Sequence, residues 1–227
     1  METSVIKSNI EEIKQRIADA AVVSGRSCDE ITLVVVSKYR PIEEIREVID
    51  SGIKNIGENR VQDAMEKKPA LVGDYTFRMI GHLQRNKVAD VIKTFDAIDS
   101  IDSIRLAVKV SEEAEKAGVV VPVLVQVNSS GEESKFGFSP GEMVEAVDRI
   151  SDLPALDIRG IMTIGPLSSD ENEIEKSFDM TREIFEKIRE GRSGFETLSM
   201  GMTDDFELAI KKGSNMVRIG RAIFEAR

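Results

Sequence analysis

The chain has 227 residues, 41% of them hydrophobic, a formal net charge of −10 and a pI near 4.9. That is enough apolar material for a substantial core. The acidic balance repels phosphate backbones and anionic lipid, so neither nucleic acid nor a membrane surface is expected as a partner. One cysteine, Cys28, permits no internal disulfide and suits a reducing compartment, so the expected location is cytoplasmic. No stretch reaches the ~18 apolar residues of a membrane span. The charged start METSVIKSNIEEIKQRIADA does not read as a secretory signal, and a lone histidine, His82, excludes a zinc site built on histidines.

In chain order, Ile6, Ile10, Ile13, Ile17 and Ala21 fall at three- and four-residue spacings and predict an amphipathic helix over 3–24, stopped by Gly25. ITLVVVSK (31–38) predicts a strand. Pro41, Glu43 and Glu44 then open a helix that stops at Gly52, proline fitting its first position and carboxylates its positive end. The alternation continues. Strands are predicted at 55–59, 77–82, 97–101, 121–128, 157–165, 196–202 and 215–220. Helices are predicted near 61–67, 84–95, 103–118, 171–190 and 204–212, and another opens at Ser139 with Glu142 in capping-box spacing. The loop 128–140 is glycine-rich and polar, and its Lys135 reads as a surface lysine or part of a lid.

Eight strand–helix units behind a leading helix, with no linker or break in composition, predict an α/β fold. It is a single (β/α)8 TIM barrel with an extra N-terminal helix, one domain over 1–227. The competing open doubly wound sheet would carry G-x-G-x-x-G after its first strand, and none is present.

In a barrel the site lies at the C-terminal strand ends. Here those ends hold Lys38, Asn59, His82, Asp99 with Ser100, Asn128, Met162 with Thr163, Ser199, and Arg218 with Gly220. Lys38 alone reads as a solvated strand cap. The apolar run before it implies burial, which would lower its pKa and make it a Schiff-base nucleophile. SMGMTDD and VRIGRA follow the seventh and eighth strands, where barrels commonly hold phosphate. Ser199 and Thr203 offer hydroxyls, Gly201 and Gly220 permit close approach, and Arg221 adds charge; ordinary turn chemistry is the alternative. Arg218, between Val217 and Ile219, needs a partner: an interior carboxylate such as Asp204 or Asp205, or a ligand acceptor.

VVVSKYRP, NIGENRVQD, IGHLQRNK, QVNSSGEESKFGF, RGIMTIGP, LSMGMTDD and MVRIGRAIF occur in that order and cover nearly the whole chain. On these motifs the sequence resembles the YggS/PROSC family, the pyridoxal phosphate homeostasis proteins. The resemblance implies a barrel like the N-terminal domain of alanine racemase, with pyridoxal 5′-phosphate as cofactor. By it, Lys38 is the Schiff-base lysine, Arg218 faces the pyridine nitrogen, Ser199, Gly220 and the Arg221 amide cradle the phosphate, and Asn59, His82 and Met162 line the pocket. Arg221 departs from the Thr or Ser many members carry, and Arg78 from their His; Arg78 is assigned no role. An arginine at the ring nitrogen weakens the electron sink and suits a carrier.

The related racemase draws a catalytic tyrosine from a second domain. Here Tyr39 is expected to point away from Lys38 by strand alternation, Tyr75 precedes the third strand, and His82 is the one further proton-transfer group. The expectation is a protein that buffers or delivers the cofactor without robust turnover, acting as a monomer and serving pyridoxal-phosphate-dependent apo-enzymes. A weak amino-acid racemase is the alternative. An aldolase-type lysine enzyme without cofactor is the third reading.

Overall fold

The computed structural model describes residues 4–132 and 136–225. Its elements alternate as the sequence predicts: β1 (Thr32–Val36), α2 (Ile42–Asp50), β2 (Asn55–Glu58), α3 (Val61–Lys67), β3 (Thr76–Met79), α4 (Val88–Thr94), β4 (Ala97–Ile101) and α5 (Ile104–Ala117). Then come β5 (Val121–Val127), α6 (Met143–Ser151), β6 (Leu156–Thr163), α7 (Glu171–Arg189), β7 (Thr197–Ser199), α8 (Phe206–Lys211), β8 (Met216–Ile219) and a four-residue α9 (Arg221–Phe224). A leading helix, α1 (Val5–Val23), precedes them. All eight strands are parallel and in sequence order, and β8 pairs with β1 to close the barrel.

Local signals account for several boundaries. Ser139 and Glu142 form the expected capping box, and Gly118 ends α5 in the left-handed conformation at φ 68°. Other boundaries differ: β1, β3 and β7 end at Val36, Met79 and Ser199, short of the expected 38, 82 and 202. Pro41 sits at the N-cap of α2, outside the helix. The helix expected over 84–95 splits into a 3-10 turn, Arg85–Lys87, and α4.

The core has two compartments. Residues such as Val35, Ile56, Phe77, Ile98, Val125 and Ile219 face outward from the strands into one continuous layer under the helices. Val34, Leu124, Met162 and Met216 form a separate cluster inside the barrel. The two-residue period of each strand produces this division. Above and beside the inner cluster the interior turns polar. Arg78 of β3 clasps Asp99 of β4 through two bonds of 2.7 and 2.8 Å, and also reaches Asn55 Oδ1 at 3.4 Å.

At four residues α9 is too short to shield a strand pair. The α1 helix packs against α2, α8 and α9, covering the β8–β1 seam from outside. It buries Ile6, Ile10, Ile13 and Ile17, each worth about 2 kcal/mol relative to exposure. Asn9 is buried too, and its amide nitrogen donates to the carbonyls of Ile223 and Glu225 at the end of α9.

Candidate functional site

The β1 strand ends at Val36, two residues before Lys38. Ser37 accepts a hydrogen bond at its carbonyl from Arg40 N–H (3.1 Å), which makes Lys38 and Tyr39 the central pair of a tight turn. Tyr39 has φ 62°, a conformation that strains an L residue. Lys38 is solvent-exposed. The burial expected for it from the apolar run is therefore corrected: that run ends with the strand, and the turn lifts the amine out at the mouth. Strand alternation, the basis for expecting Tyr39 to point away from Lys38, does not reach Tyr39, which lies in the turn beyond β1. The residue is 66% exposed, with the Arg60 guanidinium over its ring at 5.2 Å.

On the adjoining β8, Arg218 pairs in register with Val34 of β1. Its guanidinium is buried and bonded to neutral oxygens: Ser199 Oγ at 2.5 Å and the Thr163 carbonyl at 2.7 Å. No carboxylate forms an ion pair with it among the described residues, so the interior salt bridge weighed from sequence is not seen there. Burial lowers its pKa to about 10, with Asp99 and Asp205 pulling upward from a distance; it is charged at neutral pH.

The other predicted residues take defined places around this pair. Gly220 precedes α9, and a Cβ there would meet Val36 at 3.3 Å, so the β8 end runs tight beside β1. The first amides of α9 have no carbonyl within the helix to bond. Gly201 has φ 92°, and a Cβ would press on Ala209 at 2.5 Å, so packing under α8 already requires glycine. Thr203 is half-buried in the β7–α8 turn. Arg221 is 63% exposed and held by Asp204 at 2.5 Å, a surface bridge tying the β7 loop to α9. Asn59 follows β2, and its side-chain oxygen is buried without a partner among the described residues. Met162 and Ser199 are fully buried and in register on β6 and β7, Met162 within the apolar inner cluster. His82 lies three residues past β3; its Nδ1 is 2.8 Å from Asp102 Oδ2 and its ring stacks on Phe136 at 3.5 Å. Lys135 lies outside the described residues.

Several contributors were not identified from sequence. Thr163, noted only for its place late in the sixth strand, supplies the carbonyl that fixes Arg218. Its hydroxyl joins a buried chain with Ser129 and Ser177 at 2.7 and 2.6 Å. Arg78, given no role, makes the interior ion pair with Asp99. Glu58 and Lys67 form a buried ion pair behind the Lys38 turn. The one available signal was a charged residue in a strand, inside β3 and β4 at Arg78 and Asp99 and at the end of β2 at Glu58.

A closed (β/α)8 barrel whose mouth carries a lysine turn, a buried guanidinium and hydroxyls defines the class. The family model described as "Alanine racemase, N-terminal domain" matches residues 2–227. The pyridoxal phosphate homeostasis protein of Escherichia coli K12 is 38% identical, the match covering 98% of this chain and 97% of that protein. PipY of Synechococcus elongatus PCC7942, solved with PLP bound, is 31% identical with a TM-score of 0.81, over 92% of this chain and 100% of that one. An alanine racemase from Clostridium difficile 630, 16% identical with TM-score 0.80, shares the fold over 98% of this chain and 56% of its own. The chain belongs to the alanine racemase N-terminal-domain family and, within it, to the pyridoxal phosphate homeostasis proteins. No helix among the described residues is long and apolar enough to cross a membrane.

Proposed function

We propose that the chain binds pyridoxal 5′-phosphate at the barrel mouth through the Lys38 amine and works in intracellular cofactor homeostasis, buffering or delivering it. The carrying observation is Arg218: a buried cation whose guanidinium, among the described residues, is bonded only to a hydroxyl and a carbonyl, on the strand paired to β1, in a chain of net charge −10. Burying a guanidinium without a carboxylate is costly and is consistent with a ligand acceptor completing its shell. The orphaned oxygen of Asn59 gives a second unfilled valence at the same end of the barrel.

The donor set fits the cofactor. When bound, pyridoxal phosphate supplies an aldehyde carbon that an amine can attack. We assign Lys38 to that carbon and Arg218 to the ring nitrogen. The Ser199 hydroxyl hydrogen, Thr203, and the amides at Gly220–Arg221 and Gly201 are assigned to the phosphate. Asn59, His82 and Met162 are assigned to the walls. Arg218, a donor with no acceptor lone pair, disfavours a protonated ring nitrogen, which weakens the group's electron withdrawal and suits carriage over turnover. The exposure of Lys38 suits exchange with solvent and with recipient proteins. The reading takes the chain as one cofactor-binding domain, cytoplasmic and monomeric, with pyridoxal-phosphate-dependent apo-enzymes as recipients.

The test is chemical. Protein incubated with the cofactor and reduced with borohydride should carry one phosphopyridoxyl group on Lys38, and Lys38→Ala should carry none there. Unlabelled wild-type protein would sink the proposal. Substantial Lys38-dependent D/L interconversion of any amino acid would replace the carrier by an enzyme.

A further inference from the structure

Behind the Lys38 turn sits an ion pair that the assignments above do not use. Glu58 of β2 is fully buried and Lys67 of α3 is 12% exposed; Lys67 Nζ lies 2.5 Å from Glu58 Oε1. Its neighbours make it more than a strand–helix bridge. Lys67 Nζ also donates to the Ser37 carbonyl at 3.1 Å, the same oxygen that accepts from Arg40 N–H to close the turn. Glu58 Oε1 accepts weakly from Ser37 Oγ at 3.4 Å, and Glu58 Oε2 accepts from the Asn59 amide at 2.9 Å. Ser37 N–H and Oγ both donate to the Gly57 carbonyl. One carboxylate and one ammonium thus grip the starts of both the β1 and the β2 loops. These are the loops that carry Lys38 and Asn59, whose side-chain oxygen has no partner among the described residues.

We infer that Glu58 and Lys67 are positioning residues that hold the strained turn presenting Lys38. A tyrosine at positive φ persists only where the surroundings over-determine it. The second hydrogen bond on the Ser37 carbonyl supplies that constraint, and it comes from α3, outside the barrel wall. Among the described residues the pair bonds to none of Lys38, Arg218 and Ser199; it acts through Ser37 and Asn59. The inference rests on the assignment of Lys38 as the cofactor's tether.

The test uses the full chain with the double variant Glu58→Gln/Lys67→Met, which leaves no orphaned buried charge, and the conservative Lys67→Arg. Ser111→Ala serves as a remote control: it removes a buried bond to the Pro154 carbonyl on the far side of α5. Two quantities are read: capture and release rates of pyridoxal phosphate, and hydrogen exchange at the Arg40 and Asn59 amides. The double variant should lose about tenfold in affinity, split between slower capture and faster release, and should exchange both amides faster. Lys67→Arg should recover most of each, and Ser111→Ala should change neither. Unaltered kinetics and exchange in the folded double variant would overturn the inference. Faster exchange with unaltered kinetics would overturn it as well, reducing the pair to a structural role. If wild-type protein takes no label on Lys38, the cofactor reading falls; unchanged exchange at Arg40 and Asn59 would then still refute the clamp.

Discussion

Asp205 concentrates the electrostatic conflict at the end of the mouth that the proposal assigns to the phosphate. It accepts from Met202 N–H at 2.6 Å. Burial raises its carboxyl above the ordinary range, against the downward pull of the Met202 bond and of Arg218, while Asp204 adds to the rise. A carboxyl whose folded pKa lies above its unfolded value opposes folding as pH climbs from about 3.9 through the folded pKa; below both values the penalty is absent. Asp205→Asn keeps an acceptor for Met202. It should therefore match wild type in thermal melts near pH 3.5 and exceed it by about two degrees at pH 7. A variant that is less stable at pH 7 than at pH 3.5, relative to wild type, would contradict this. Lys38 shows what a sequence conceals at this scale. Its chemistry was legible at the end of an aliphatic run, but its exposure was not. Nothing in VVVSKY announces that Tyr39 will take a left-handed turn, because tyrosine has no preference for one.

Elements that announced themselves did so through local chemistry: the isoleucine spacing of α1, the Ser139–Glu142 box before α6, Gly118 after α5. What stayed hidden was pairing between elements. Glu58 with Lys67 spans a strand and the next helix, and Arg78 with Asp99 spans two strands; a period of 2 or 3.6 residues carries no record of either. The short α9 belongs with these. Asn9, 214 residues away from Ile223, donates to its carbonyl and thereby anchors the helix whose first amides are assigned to phosphate. Asn9→Ala should cost about 1–2 kcal/mol by leaving two carbonyls short of a donor. Hydrogen exchange should rise across Arg221–Phe224 and cofactor release should quicken. A melt that drops with no change in exchange over α9 would separate the bond from the cradle.

For the whole molecule, the alternation of eight units specified a closed barrel, but it did not reveal where the wall admits only glycine. Gly160 sits where the β5–β6 register shifts, and a Cβ there would fall 1.8 Å from the Thr197 carbonyl of β7. Its φ of 153° adds strain for any other residue. Gly160→Ala must push β6 from β7 and should lower stability by about 3 kcal/mol, a fall of roughly 6–12 degrees in Tm. A shift under two degrees would show that the wall gives way easily.

The cover that α1 lays over the β8–β1 seam changes how the chain's order should be counted. Read linearly, the described residues run as a helix followed by eight strand–helix units, the eighth carrying the four-residue α9. Read around the ring, α1 stands beside α9 over β8 and β1, and Asn9 ties it to the carbonyls of Ile223 and Glu225. The cover of the eighth unit is thereby assembled from two distant stretches of sequence, a long-range contact where the other units draw on the helix next in sequence.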